Sequence, residues 1–221
     1  MKQTRFFLIC VIILLFLNSC SSLQNLRFSQ DKLPWKSAGE VLLQDDFSDD
    51  STGWEIVNNV YELKGYSSEG YLISVNNKGG RSISTTGLQY NDTKIQVETR
   101  KLTGSNDSYL GIVCRYQDKQ NYYRFFVTPD GYTGIVKVVN GEISTLPNGK
   151  MNYNHDVKQN DAANLLEVFC VGSQLSLVVN GKLAVTAEDD QLTKGDTGIF
   201  AETGTDGSGS FIFNNFIVTT P

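Results

Sequence analysis

Along most of this chain the hydrophobic positions come in short runs, alternating or continuous. They are rich in Val, Ile, Phe and Tyr and are broken by Gly, Asn and Asp. A period of two puts alternate side chains on opposite faces of an extended backbone, so each run predicts a strand with one buried face. The runs cover residues 71–75, 94–101, 110–117, 122–128, 134–139, 165–171, 175–179, 183–187, 197–202 and 210–218. Turn residues recur about every ten positions between them, the spacing of an antiparallel sandwich or barrel. No stretch sustains a helical period. Two turns are spelled alike, Val138-Val139-Asn140-Gly141 and Val178-Val179-Asn180-Gly181. Asn-Gly supplies the two positive φ angles of a type I′ turn, so both predict tight hairpins.

The N-terminus follows another pattern. Lys2 and Arg5 precede an unbroken apolar run over residues 6–17, closed by Leu17-Asn18-Ser19-Cys20. That run is shorter than the roughly 20 residues a spanning helix needs, but it suits the core of a signal peptide. The closing four residues resemble the lipobox of bacterial lipoproteins, with Asn18 the departure from its usual pattern. The resemblance implies cleavage after residue 19 and a diacylglycerol on Cys20, which would hold the protein to a membrane by two acyl chains. The expected organisation is a signal peptide (1–19), a lipidated Cys20 with a polar tether containing Pro34 and Trp35 (20–40), and one all-β domain (41–221). The expected location is the extracytoplasmic side of a bacterial membrane.

Charge and cysteine content narrow the choice. Losing Lys2 and Arg5 from 19 basic residues leaves 17 against 24 acidic ones, a mature charge of about −7. Nucleic acid is thereby disfavoured as a partner, since phosphate binding needs a basic footprint. Once Cys10 leaves with the signal and Cys20 carries lipid, Cys114 and Cys170 remain. In an oxidising compartment this pair is a disulfide candidate. Alternation turns Cys114 inward with Ile112 and Tyr116, and Cys170 with Leu166 and Val168; two buried, unpaired thiols would fit the same pattern.

The run Asp45-Asp46-Phe47-Ser48-Asp49 followed by Gly53-Trp54 resembles the opening strand and turn of concanavalin-like, laminin-G-like jelly rolls of bacterial surface proteins. Residues 111–118 with Asn121-Tyr122-Tyr123 resemble the central hairpin of that group. Residues 177–181 resemble its late hairpin, and 195–199 and 213–218 its closing strands. The resemblance implies an all-β, antiparallel jelly-roll β-sandwich of the concanavalin A-like kind, and a Cys114–Cys170 disulfide, which that group commonly carries. The 3-keto-disaccharide hydrolase family shares this architecture and is the nearest enzymatic relative. Fold alone leaves function open, because it hosts lectins, glycosidases and adhesion domains.

Candidate chemistry is sparse. The Glu-x-Asp-x-Glu run of laminarinase-type enzymes is missing from the sequence, and Glu98 reads as an exposed strand residue. His155, the sole histidine, reads as a solvated loop residue. Zinc would need more His or free Cys than the domain offers, and no cofactor is expected. Asp45, Asp46, Asp49 and Asp50 cluster as hard-oxygen donors of the kind that hold structural calcium in jelly rolls; solvated turn acids are the plainer reading. The richest feature is the 110–128 hairpin. With residues 118–121 as a four-residue loop, Gln117 faces Tyr122 and Arg115 faces Arg124, leaving Tyr116, Tyr123 and Phe125 to the core. Arg115, Gln117, Tyr122 and Arg124 then share one exposed concave face, the expected docking place for a glycan. The function expected is a glycan- or surface-polymer-binding module, with a glycoside-type hydrolase or a ligand-free adhesion domain as alternatives.

Overall fold

The computed structural model describes residues 39–221, and no helix occurs among them. The expected signal peptide, Cys20, Trp35 and nearly all of the expected tether lie outside the described residues. The strands in chain order are β1 Val41–Asp45, β2 Val57–Asn58, β3 Glu62–Ser67, β4 Gly70–Val75, β5 Arg81–Thr85, β6 Thr93–Gly104, β7 Tyr109–Asp118 and β8 Asn121–Val127. There follow β9 Tyr132–Val139, β10 Glu142–Thr145, β11 Asn152–Tyr153, β12 Asn164–Val171, β13 Gln174–Val179, β14 Lys182–Glu188, β15 Asp196–Glu202 and β16 Gly209–Thr219. One sheet has the order β14-β13-β12-β6-β16-β4-β3-β2, with β1 also on β16. The other has the order β10-β9-β8-β7-β15-β5, with β11 on β9. Neighbours are antiparallel, and the two sheets form the jelly-roll sandwich that the alternation and the resemblance implied.

The core lies between the sheets and is built by alternation. Ile95 and Val97, Leu166 and Val168, and Leu175, Leu177 and Val179 point inward from one sheet. Leu110, Ile112, Tyr123, Phe125 and Val127 meet them from the other. Both Asn-Gly turns have the expected backbone: φ is 52° and 81° at Asn140 and Gly141, and 51° and 80° at Asn180 and Gly181. They join β9 to β10 and β13 to β14. Strand β5 is a strand the hydrophobic pattern does not announce. It buries Ser82 and Ser84 and turns Arg81 and Ile83 the other way, so its polarity is inverted. Ser84 is tolerated inside because its Oγ hydrogen-bonds the hydroxyl of Tyr71 at 2.8 Å.

The opening motif builds one end of the core. The Asp45 carboxylate accepts the Phe47 N–H at 2.6 Å and the Thr52 hydroxyl, holding Phe47 in the left-handed region at φ 59°. Phe47 then packs edge-on against Trp54, which meets Phe216 in the same manner. The neighbouring acids are turn caps. Asp46 accepts from Ser48, and Asp49 from Ser51, and these bonds hold both carboxyls below their usual range. Among the described residues no three His, Cys, Asp or Glu side chains gather as a metal site.

Cys114 of β7 and Cys170 of β12 form the disulfide, which ties the two sheets together through the core with Cα atoms 6.9 Å apart. A second tie is ionic. Asp189, just after β14, accepts from Lys137 of β9 and from the Tyr123 hydroxyl of β8. Burial alone would raise the Asp189 carboxyl, but donation by Lys137 and Tyr123 outweighs it and holds the group below its ordinary 3.8. A carboxylate depressed by folding stabilises the native state above its unfolded value, and that stability fades as pH falls through the folded value. Thermal unfolding below about pH 4 should therefore steepen in the wild type relative to Asp189→Asn, while the two curves run parallel above about pH 5. Parallel curves throughout would remove Asp189 as a source of acid sensitivity.

Candidate functional site

The site is shaped by an irregularity in β7. Near the hairpin tip Asp118 pairs with Asn121, yet further along Cys114 pairs with Tyr123 and Val113 with Arg124. Between those points Arg115, Tyr116 and Gln117 stand against Tyr122 alone. This is a bulge, and Arg115 sits in it at φ 50°. Gly195 permits it: a Cβ there would lie 2.4 Å from the Arg115 carbonyl carbon.

The bulge corrects the sequence reading. β8 alternates as expected, with Tyr123 and Phe125 in the core and Tyr122 and Arg124 on the opposite face. β7 does not, because its parity breaks after Cys114. Arg115 leaves the shared face and is buried, donating to the carbonyls of Leu192 at 2.8 Å and Gly172 at 2.7 Å and pairing with Asp92 at 3.3 Å. Tyr116, expected in the core, instead stacks at a tilt on Tyr122 with ring centroids 5.6 Å apart. Gln117 is exposed and donates to the Lys194 carbonyl at 3.3 Å. The four residues Arg115, Gln117, Tyr122 and Arg124 therefore do not form one exposed surface: Tyr122 and Arg124 keep the expected face but are buried on it, Arg115 has left it, and Gln117 alone is exposed.

The outer face of this sheet carries a second apolar cluster of Val113, Tyr122, Phe126, Val136, Val138 and Phe200. Two arginines lie in it. Arg124 spreads its guanidinium 5.2 Å from the Phe200 ring centroid and 5.8 Å from that of Tyr109. Glu202 accepts from both arginines at one oxygen, from Arg124 Nη1 and from Arg81 Nε, the latter at 2.6 Å. Arg81 Nη1 also donates to the Tyr122 hydroxyl at 3.0 Å. Burial pushes the Arg124 guanidinium below its usual range, against the pull of Glu202. In Arg81, burial is outweighed by Glu202 and Tyr122, and the shift is upward.

Beside this cluster opens a cavity of about 460 Å³. Its walls are Glu55, Glu62 and Lys64 from the β2–β3 region, Arg81, Ser82 and Ile83 of β5, and Tyr116, Lys119 and Tyr122 of the β7–β8 hairpin. Lys64 is 4% exposed and crosses from β3 to donate to the Ile83 carbonyl at 2.8 Å, with Glu55 at 2.6 Å as counter-ion. Tyr61 stands at the rim, 67% exposed. Of the four residues that strand parity nominates, Tyr122 lines the cavity and Arg124 lies behind it. Arg81, Tyr116 and Lys64 come from a polar edge strand, a bulge and a short strand, none of which the periodicity marks. Glu98 and His155 are exposed, as expected.

Sandwich topology and an edge cavity of this kind define the chain as a concanavalin-like jelly roll with a lined groove. Residues 41–210 match the 3-keto-alpha-glucoside-1,2-lyase-like domain, and the chain belongs to that family. Curated proteins give no sequence match. Among solved structures, the carbohydrate-binding module CBM66 from Bacillus subtilis superposes with a TM-score of 0.62 at 16% identity, over 76% of this chain and 96% of its own. A Bacillus subtilis protein of unknown function with a galectin-like fold gives 0.63 at 9% identity, over 83% and 97%. The GH43 protein BlXynB from Bacillus licheniformis gives 0.59 at 16% identity, over 80% of this chain but 39% of that one. At these identities the likeness is one of fold.

Proposed function

We propose that this chain is a lipid-anchored envelope protein whose jelly-roll domain binds a glycan in the cavity between β3, β5 and the β7–β8 hairpin. The observation that carries the reading is the pairing of exposed and half-buried tyrosines, Tyr61 and Tyr116, with a wall of fixed hydrogen-bonding groups. Aromatic faces stack on the C–H faces of a sugar ring, while charged and amide groups bind its hydroxyls. The carbohydrate-binding module among the structural neighbours supports the same class of ligand. Attachment through Cys20 rests on the lipobox-like Leu17-Asn18-Ser19-Cys20, and the Cys114–Cys170 disulfide is in keeping with an oxidising compartment.

Binding to a glycan array, followed by titration of the best ligand, tests the site. Tyr116→Ala should weaken binding by about tenfold, the effect of truncating one aromatic anchor, with Tyr61→Ala weaker but in the same direction. Unchanged affinity in both variants would move the site elsewhere. Cys20→Ala should shift the protein from the membrane fraction to the soluble one; a chain that stays membrane-bound with an unmodified Cys20 would end the anchoring proposal.

A second reading follows from the family. Glu62 lines the cavity and has no cation beside it among the described residues, whereas Glu55 is held by Lys64. As a hydrolase or lyase acting on a 3-keto-glucoside, the protein would use Glu62 as its acid or base. Glu62→Gln would then abolish turnover and leave binding in place.

A further inference from the structure

We propose that the glycan this cavity takes is anionic, a sugar bearing a ring carboxylate, and that Arg81 receives the carboxylate. This rests on the cavity being a glycan site. The starting point is a charge imbalance. Arg81 and Arg124 both draw on Oε2 of Glu202, which is the carboxylate that the described residues bring within ion-pair distance of either guanidinium. The Arg124 side chain is 6% exposed and that of Arg81 23%, so two cations share one anion at a largely dry place. An arginine does not shed its proton to relieve this, and a buried charge is costly unless paired. The chain as a whole is acidic, with a net charge of −5, so this local excess of positive charge runs against its composition.

Arg81 lines the cavity with a donor to spare. Arg81 spends Nε on Glu202 and Nη1 on the Tyr122 hydroxyl, and its Nη2 has no acceptor among the described residues. Those two bonds fix the plane of the guanidinium, so its outer edge is held ready for a planar two-oxygen acceptor. Lys119 adds an uncommitted cation at the exposed hairpin tip. Of the two acids in the wall, Glu55 is matched by Lys64, and Glu62 is suited to hydrogen-bonding ring hydroxyls. Arg124 does not line the cavity. It is a positioning residue: by pulling on Glu202 it leaves Arg81 short of a full counter-charge.

The full-length chain in detergent, titrated calorimetrically with galacturonate, glucuronate and mannuronate oligosaccharides and with the carboxyl-reduced twin of each, tests this. At least one acid form should bind about tenfold tighter than its reduced twin, the margin of a charge-assisted hydrogen bond, and added salt should narrow the gap. Arg81→Gln should erase the gap. Lys119→Ala, at an exposed position that does not endanger folding, should shrink it. Reduced twins that bind as tightly as the acids would overturn the anionic preference and leave the glycan site standing. Binding by neither form, with the protein folded, would overturn both.

Discussion

Glu202→Ala should lower folding stability by about 3–5 kcal/mol, the cost of removing one partner from a buried ion cluster. The size follows from what is left behind. Arg124 is held against Phe200, Phe126 and Tyr109 and its Nε already lacks an acceptor, so without Glu202 its guanidinium loses the carboxylate that offsets its desolvation. Arg81 loses its Nε acceptor at the same time, although its partial exposure lets water replace some of the loss. Chemical denaturation should show the drop as a lower midpoint with an unchanged slope. Adding Arg124→Met should recover part of it, because a methionine fits among rings without needing a counter-ion. A loss below about 1 kcal/mol in the single variant would mean that the cluster behaves as an ordinary surface pair.

Replacing Cys114 and Cys170 together by alanine should cost more than about 4 kcal/mol, the contribution of loop closure alone. The bond closes a loop with a sequence separation of 56, and its contribution in the chain-entropy model grows with the logarithm of that length. Both positions are almost fully buried, so each lost sulfur also leaves a small void between the sheets. Urea unfolding with and without a reductant measures the first effect, and the double variant measures the sum. The consequence reaches the site. Cys114 is the last regular residue before the bulge that turns Tyr116 toward Tyr122, so the reduced protein should bind glycan more weakly even where it remains folded. Equal stability of oxidised and reduced protein would show that the core alone holds the sheets together.

Much of the fold is legible in the residue pattern because alternation is a local property. Val, Ile and Leu at alternate positions of β6, β12 and β13 leave one way to bury them, and Asn-Gly at 140–141 and 180–181 allows one kind of turn. The same logic assigns Tyr123 and Phe125 to the core and sends Tyr122 and Arg124 to the other face. It fails for β5, whose buried Ser82 and Ser84 carry no apolar signal; Ser84 is accommodated by Tyr71 from the other sheet.

By itself, then, the sequence determined the all-β class, the hairpin turns, the inward faces of the long strands and the two cysteines available to pair. The tertiary structure decided the site. A single residue, Arg115, takes a left-handed backbone because Gly195, just before the neighbouring strand β15, leaves room for it. That exchange puts Tyr116 beside Tyr122 and draws Arg115 away to the Gly172 turn. The acid that joins Arg81 to Arg124 is likewise a matter of strand order: Glu202 of β15 lies opposite Arg81 of β5, 121 residues earlier in the chain. Periodicity reports which face a side chain takes along one regular strand, whereas bulges and sheet order depend on contacts between distant segments, where a backbone can bend only if its neighbour yields the space.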